Sequence, residues 1–353
     1  MQRFIGIDVH GQSCTLVVMG PSGRRLGEYV VETNAKVLIE RMRSIAGDKY
    51  VCMEEGTQCE WLCEVLAAHA KQVVVTQLLQ RSGSKSDAID AWALADLLRR
   101  DAVERSVFKS PKTLTELRQA ARGYVAMRGD MVRAKCRLNA LYRSRGVQPT
   151  EAIYDPDARA TWLRKLPPSH RPLAELLSEQ VDSLSESHQT AESLLLEQAK
   201  LTPVTRRLAT APGIGPIRAA LLVAIVVTPA RFRTTRQFWS YSGLAIVTRS
   251  TSDWTRDQAT KSWARRPTVQ TRGLNRNRQP ELKAIFKGAA TTVIQQMPSH
   301  PLHQDFQRMT DAGIKPNLAR LTLARRIAAA TLAMWKHQED YDPSKARRIP
   351  PSQ

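Results

Sequence analysis

The sequence is poor in cysteine, in aromatic residues and, over its second half, in acid. Five cysteines in 353 residues, with no CxxC pair, argue against a disulfide framework or a zinc ribbon. Cys59 and Cys63 stand four apart on an expected helix, where a buried face accounts for them better than a metal. No apolar run approaches the roughly 20 residues that a membrane span needs. The opening MQRFIGIDVHG lacks the apolar stretch and small-residue cleavage site of a secretory signal. These absences point to a cytoplasmic chain with no membrane partner. An apolar content of 42% supports folded cores, and the length leaves room for two or three domains.

The shortage of acid is local. Residues 1–100 carry 12 Lys/Arg against 12 Asp/Glu, residues 101–200 carry 16 against 13, and residues 201–353 carry 25 against 8. A field that positive, confined to the C-terminal part, suits a polyphosphate partner whose counterions are released on binding. A soluble basic protein with no nucleic-acid role is the plainer alternative.

Three β-rich runs open the chain, FIGIDV (4–9), CTLVVM (14–19) and GEYVVET (27–33), separated by turn signals. An amphipathic stretch follows, with Val37, Leu38, Met42 and Ile45 on one face. Then come a strand over 50–54, a helix over 60–70, a strand over 72–77 and a helix that begins at Asp87. A three-strand meander followed by alternating helix and strand implies a mixed sheet flanked by helices. On that order Asp8 falls inside the first strand, where an unpaired carboxylate is costly. Glu54 ends the fourth strand, and Asp87 and Asp90 open the last helix. One acid there caps a helix start. The second stands on the same face as the first, which calls for something positive between them. Four carboxylates converging at one sheet edge suit Mg²⁺ or Mn²⁺, which prefer hard oxygen ligands and assist phosphoryl transfer.

From Pro111 to about Arg145 the β signal stops. Leu114, Leu117, Ala121, Tyr124, Met131, Leu138 and Leu141 form a helical stripe, and Leu177, Val181, Leu184, Ala191 and Leu195 form a second one. Core packing and a dimerising coiled coil fit both equally. In LATAPGIGPIRAALLVAIV (208–226), Gly213 and Gly215 sit in a turn between helical segments, a device that lets backbone approach phosphate; a tight helix connection uses the same residues. Farther on, Arg249 and Arg256 flank a hydroxyl cluster, Ser250-Thr251-Ser252. Such a run is ordinarily a loop, because a serine hydroxyl is a weak nucleophile without activation.

GIDVH with Asp8, CMEEG with Glu54 and KSDAIDAWALA with Asp87 and Asp90 resemble the DEDD motif of insertion-sequence transposases. Glu55 is the alternative to Glu54, which fits the pattern better. PGIGP, RFRTTRQFWSYSGL and a serine six or seven residues past Leu244 resemble the C-terminal domain of the same family. The segment 265–294 resembles the basic loop and helix that follow it, with Arg272, Arg276, Arg278, Lys283 and Lys287 as candidates for phosphate contacts. The resemblance implies an RNase H-like (RuvC-like) α/β domain over 1–110, a helical coiled-coil and multimerisation region over 111–200, a mostly α-helical basic domain over 201–340 and a tail over 341–353. It also implies a nucleophilic serine, Ser250 by position, that forms a phosphoserine link to DNA. The chain departs from the pattern after that serine and after Gly243-Leu244, so Thr251 and Ser252 remain alternatives. The implied partners are double-stranded donor and target DNA, a structured non-coding guide RNA and further copies of the chain in a dimer or tetramer. The implied setting is the nucleoid of a prokaryotic cell. A RuvC-like nuclease using water, or a non-catalytic nucleic-acid-binding protein, are the competing functions. The terminal helix over 317–338 is expected to turn Arg325 and Arg326 outward, and the tail SKARRIPPSQ to be disordered.

Overall fold

The computed structural model describes residues 1–77, 86–104, 106–110, 113–248, 254–257, 259–265 and 271–346. The chain divides into two compact units, Met1–Thr115 and Glu116–Gln353.

The first unit follows the alternation read from the sequence. Strands β1 (Gln2–Val9), β2 (Ser13–Met19) and β3 (Arg25–Glu32) form an antiparallel meander. Helix α1 (Ala35–Ser44), strand β4 (Asp48–Glu54), helix α2 (Cys59–Leu66), strand β5 (Gln72–Thr76) and helix α3 (Asp87–Arg99) complete it. The sheet order is β3-β2-β1-β4-β5, with β4 parallel to both β1 and β5. Strand periodicity sends alternate residues to opposite faces. Ile5, Ile7, Leu16, Val18, Val51 and Met53 therefore share one core with Leu38 and Met42 of α1 and Leu62 and Leu66 of α2. The other face carries Gly6, Asp8, Cys52 and Glu54 and is covered by α3. A Cβ on Gly6 would lie 1.8 Å from the Ala91 carbonyl oxygen and 2.6 Å from the Ala95 nitrogen. Only glycine lets the backbone of α3 lie that close to β1.

The second unit is helical apart from four short strands among the described residues. Helices α4 (Thr115–Arg143), α5 (Arg159–Arg164) and α6 (Arg171–Lys200) carry the two apolar stripes. Ala134, Leu138 and Tyr142 of α4 pack with Ala174 and Val181 of α6 around Trp162 and Leu166, so this part of both stripes is an intramolecular core. Leu173, Leu176 and Leu194 of α6 stay exposed. Helices α7 (Pro203–Leu208) and α8 (Pro216–Val226) flank the PGIGP turn, and α9 (Thr235–Tyr241) starts with a Thr234–Gln237 capping box. Strands β6 (Ile246–Thr248) and β9 (Thr271–Leu274) pair antiparallel, and between them β7 (Trp254–Arg256) and β8 (Trp263–Arg265) form a hairpin. Helices α10 (Pro280–Gln296), α11 (Pro301–Asp311), α12 (Pro316–His337) and the single turn α13 (Pro343–Ala346) follow. That turn falls in the segment expected to be disordered; residues 347–353 lie outside the described residues. Among the described residues, no helix is long and apolar enough to cross a membrane.

Helix α12 corrects an expectation. Arg325 does not turn outward: it is buried, and its Nε donates to the Leu244 carbonyl at 2.7 Å. The indole of Trp239 donates in turn to the Arg325 carbonyl at 3.0 Å. A carbonyl at the end of the buried Gly243-Leu244 turn needs a donor, and the long Arg325 side chain reaches it from α12. Arg326 is mostly covered as well and pairs with Asp305.

Candidate functional site

The close approach of α3 to Gly6 sets the geometry of the acids. Asp8 follows Gly6 by two residues on the α3-facing side of β1, and Asp87 lies one helical turn before Ala91. Ser86 caps the helix, accepting the Ile89 N–H at 3.3 Å. Between the two carboxylates stands an imidazole. His10 Nε2 lies 3.1 Å from Asp8 Oδ2 and 3.4 Å from Asp87 Oδ1. One ligand atom from each of Asp8, His10 and Asp87 lies within 4.8 Å of the other two, a grouping that can hold a metal ion.

The electrostatics agree with the geometry. Burial raises the Asp8 carboxyl above its ordinary value, and the charges of Asp87 and Asp90 push the same way against the opposing pull of His10. Asp8, and then Asp87, push the His10 imidazolium above its ordinary value. Asp90 thus acts on Asp8 through its field and is not one of the trio. Glu54 also lies outside the trio. It ends β4, directly beyond the Ile7–Met53 register pair that sets it beside Asp8. Its neighbour Glu55 is engaged elsewhere, accepting from Lys109 Nζ at 3.1 Å.

In the second unit the expected phosphate ligands divide into several groups. Gly213 has φ +70°, and a Cβ there would meet the Ala289 carbonyl of α10 at 2.4 Å, so its need for glycine comes from helix packing. Gly215 is the N-cap of α8, with open space where a side chain would stand. Burial, then Arg278 and Lys287, hold the Lys283 ammonium below its ordinary value, which marks these three cations as a cluster. Arg278 also folds over Gly243 and donates to the Asn275 carbonyl at 3.4 Å. Arg276 and Arg256 are exposed. Arg249, Ser250, Thr251 and Ser252, and the side chain of Arg272, lie outside the described residues.

Comparison with known proteins bears on both units. Residues 5–144 match the family model for DEDD transposases of the IS110 type, described as a transposase. Residues 205–272 match a second model, described as the transposase IS116/IS110/IS902 family. Together the two spans cover more than half of the chain, and they take in every acid of the site and the hydroxyl cluster. The chain belongs to the IS110 family of transposases. It is 24% identical over 295 residues to the provisionally named transposase y4pF/y4sB of Sinorhizobium fredii, an alignment covering 77% of this chain and 68% of that one.

An IS110-family transposase is a DNA-processing enzyme, and its DEDD group suggests divalent-metal use. The sequence reading of the site missed His10. The signal was available: a residue two positions past Asp8 falls on the same side of an extended chain, and GIDVH places an imidazole there.

Proposed function

We propose that this transposase cuts and rejoins DNA through a phosphoserine intermediate, with divalent metal held at the end of β1. One observation carries the reading. Carboxylates from the end of β1 and the start of α3, far apart in sequence, share a single imidazole. The donor set fits a hard cation: burial first, and then the charges of Asp87 and Asp90, oppose ionisation of the Asp8 carboxyl, and a bound cation would favour the ionised form. Asp8, His10 and Asp87 would hold Mg²⁺ or Mn²⁺, with Glu54 and Asp90 beside them. Bound there, the ion would neutralise charge on a scissile phosphodiester and favour ionisation of an attacking hydroxyl.

The remaining chemistry belongs to the chain. The Ser250 oxygen attacks phosphorus, the bond to one deoxyribose oxygen breaks, and that oxygen takes up a proton. The resulting ester conserves the bond, so a strand hydroxyl attacking it later rejoins DNA and regenerates serine without an external energy source. Arg278, Lys283 and Lys287 supply phosphate contacts for duplex DNA and for a structured guide RNA that chooses the sequence. The acids and the serine act on one phosphodiester, within one chain or across subunits of a dimer or tetramer. The meander joined to two parallel strands supports an RNase H-like reading of the first unit.

Trapping tests this. Full chain, the RNA that copurifies with it, labelled donor and target DNA, and Mg²⁺ are incubated and denatured. A covalent protein–DNA adduct is expected, absent from Ser250→Ala and kept by Thr251→Ala and Ser252→Ala. Nicked DNA without adduct, formed equally by Ser250→Ala, would establish hydrolysis by water instead.

A further inference from the structure

The hairpin β7–β8 carries a feature that the proposed chemistry does not use. Trp254 is 57% exposed and Trp263 is 66% exposed. In the antiparallel register Trp254 opposes Arg265 and Arg256 opposes Trp263. Trp254 and Arg256, two apart on one strand, share a face, and Trp263 opposite Arg256 shares it too. Two indoles therefore stand diagonally across the ribbon, and exposed Arg256, whose Nε donates to the Lys261 carbonyl at 3.3 Å, neighbours Trp254 along its strand and Trp263 across it. Diagonal neighbours in such a pair are about 7–8 Å apart. Each stacked base adds about 3.4 Å along a strand, so both rings fall within the span of two or three successive nucleotides.

The ribbon is held by its own turn. Asp257 accepts from the backbone N–H groups of Ala259 at 2.8 Å and Thr260 at 3.1 Å, and its own N–H reaches the Ser262 carbonyl at 2.9 Å. Exposed tryptophan on a short two-stranded ribbon adds nothing to a core, and large apolar rings left in water mark a contact surface. The surroundings select the contact. Residues 254–272 hold five Lys/Arg against the single acid Asp257. Indole faces among cations suit nucleotides, whose bases stack and whose phosphates pair with cations. Duplex DNA keeps its base faces hidden, so only an unpaired strand can use the rings.

We propose that Trp254, Arg256 and Trp263 form a stacking platform for unpaired DNA at the site of strand breakage. The choice of DNA rests on the proposed function. Trp254 lies four residues past Ser250, a reach of at most about 14 Å even when fully extended, so a base on the platform neighbours the phosphodiester that the serine attacks.

The test uses full-length protein at physiological salt and a labelled single-stranded oligodeoxynucleotide of about 12 nucleotides. Replacing both rings (W254A with W263A) is expected to weaken single-strand binding roughly tenfold or more, and binding of the matching duplex less than twofold. Phenylalanine at both positions should restore most of the loss. In the unaltered protein, 5-iodouracil placed in the oligonucleotide should photocrosslink within the peptide 254–263, a readout independent of how any variant folds. Unchanged single-strand affinity, an equal loss for the duplex, crosslinks elsewhere, or a loss confined to single-stranded RNA would each overturn the proposal. Failure of the serine adduct with ring-dependent DNA binding intact would overturn only the proposed chemistry.

Discussion

In the first unit, residues separated by much of the domain meet at one sheet end, and three ligand atoms of a metal-binding type fall within 4.8 Å. In the second unit cations are spread over a basic loop, a hairpin and a helix, and Arg278, Lys283 and Lys287 act on one another as a group. The first arrangement concentrates negative charge at a point, where it costs stability unless a cation answers it. The second spreads positive charge over a surface, where each contact adds a modest and salt-dependent share. A point charge suits chemistry at one phosphate, and a spread charge suits holding a long polyanion. The two units therefore respond differently to substitution.

The largest expected effect is at Asp8. Asp8→Asn should lower strand transfer by about a thousandfold or more, the scale of losing several kcal/mol of metal assistance. Thermal stability in chelator should be unchanged or higher, since the carboxylate removed is one whose ionisation burial, and then Asp87 and Asp90, oppose more than His10 favours. A fall in stability of the chelated protein would make the acid structural. Next is Gly6→Ala, which forces a Cβ into the α3 backbone. It should cost about 3 kcal/mol in denaturant unfolding and weaken metal binding together with stability. Unaltered stability would mean that α3 does not rest on β1 as described.

In the second unit, Lys283→Gln with Lys287→Gln should weaken duplex binding uniformly across sequences and reduce the slope of log affinity against log salt by about two. A sequence-selective loss would assign these lysines to base reading instead, because a spread positive surface cannot read bases. The smallest effect concerns pH. The folded protein holds the His10 proton more tightly than the unfolded chain does. In chelator, the stability gained at His10 is therefore complete below about pH 6.5 and is lost as pH rises through the higher folded value. Solvent screening keeps the change small. His10→Gln should flatten that part of the thermal midpoint against pH, and an unchanged profile would remove His10 from the pair.

Much of the first unit was legible because its strands alternate, its helices keep one apolar face, and turn residues separate them. The acids could be ordered on that frame, but the reason they meet could not be read. The contact of Gly6 with Ala91 and Ala95 becomes visible only when strand and helix are packed. In the second unit the long stripes of α4 and α6 declared helices, but not what each stripe would cover. Strands β6 to β9, three or four residues each, are too short to show a period. Arg325 misled because arginine on a helix ordinarily seeks water, and its partner, the Leu244 carbonyl, belongs to a turn far away in sequence.

Mn²⁺ titration of the full-length protein followed by electron paramagnetic resonance decides whether β1 and α3 together build a divalent-metal centre. One tight site is expected, lost in both Asp8→Asn and Asp87→Asn, with hyperfine coupling to an imidazole nitrogen that disappears in His10→Gln. Mn²⁺ binding that is the same in the parent and in both aspartate variants would contradict it.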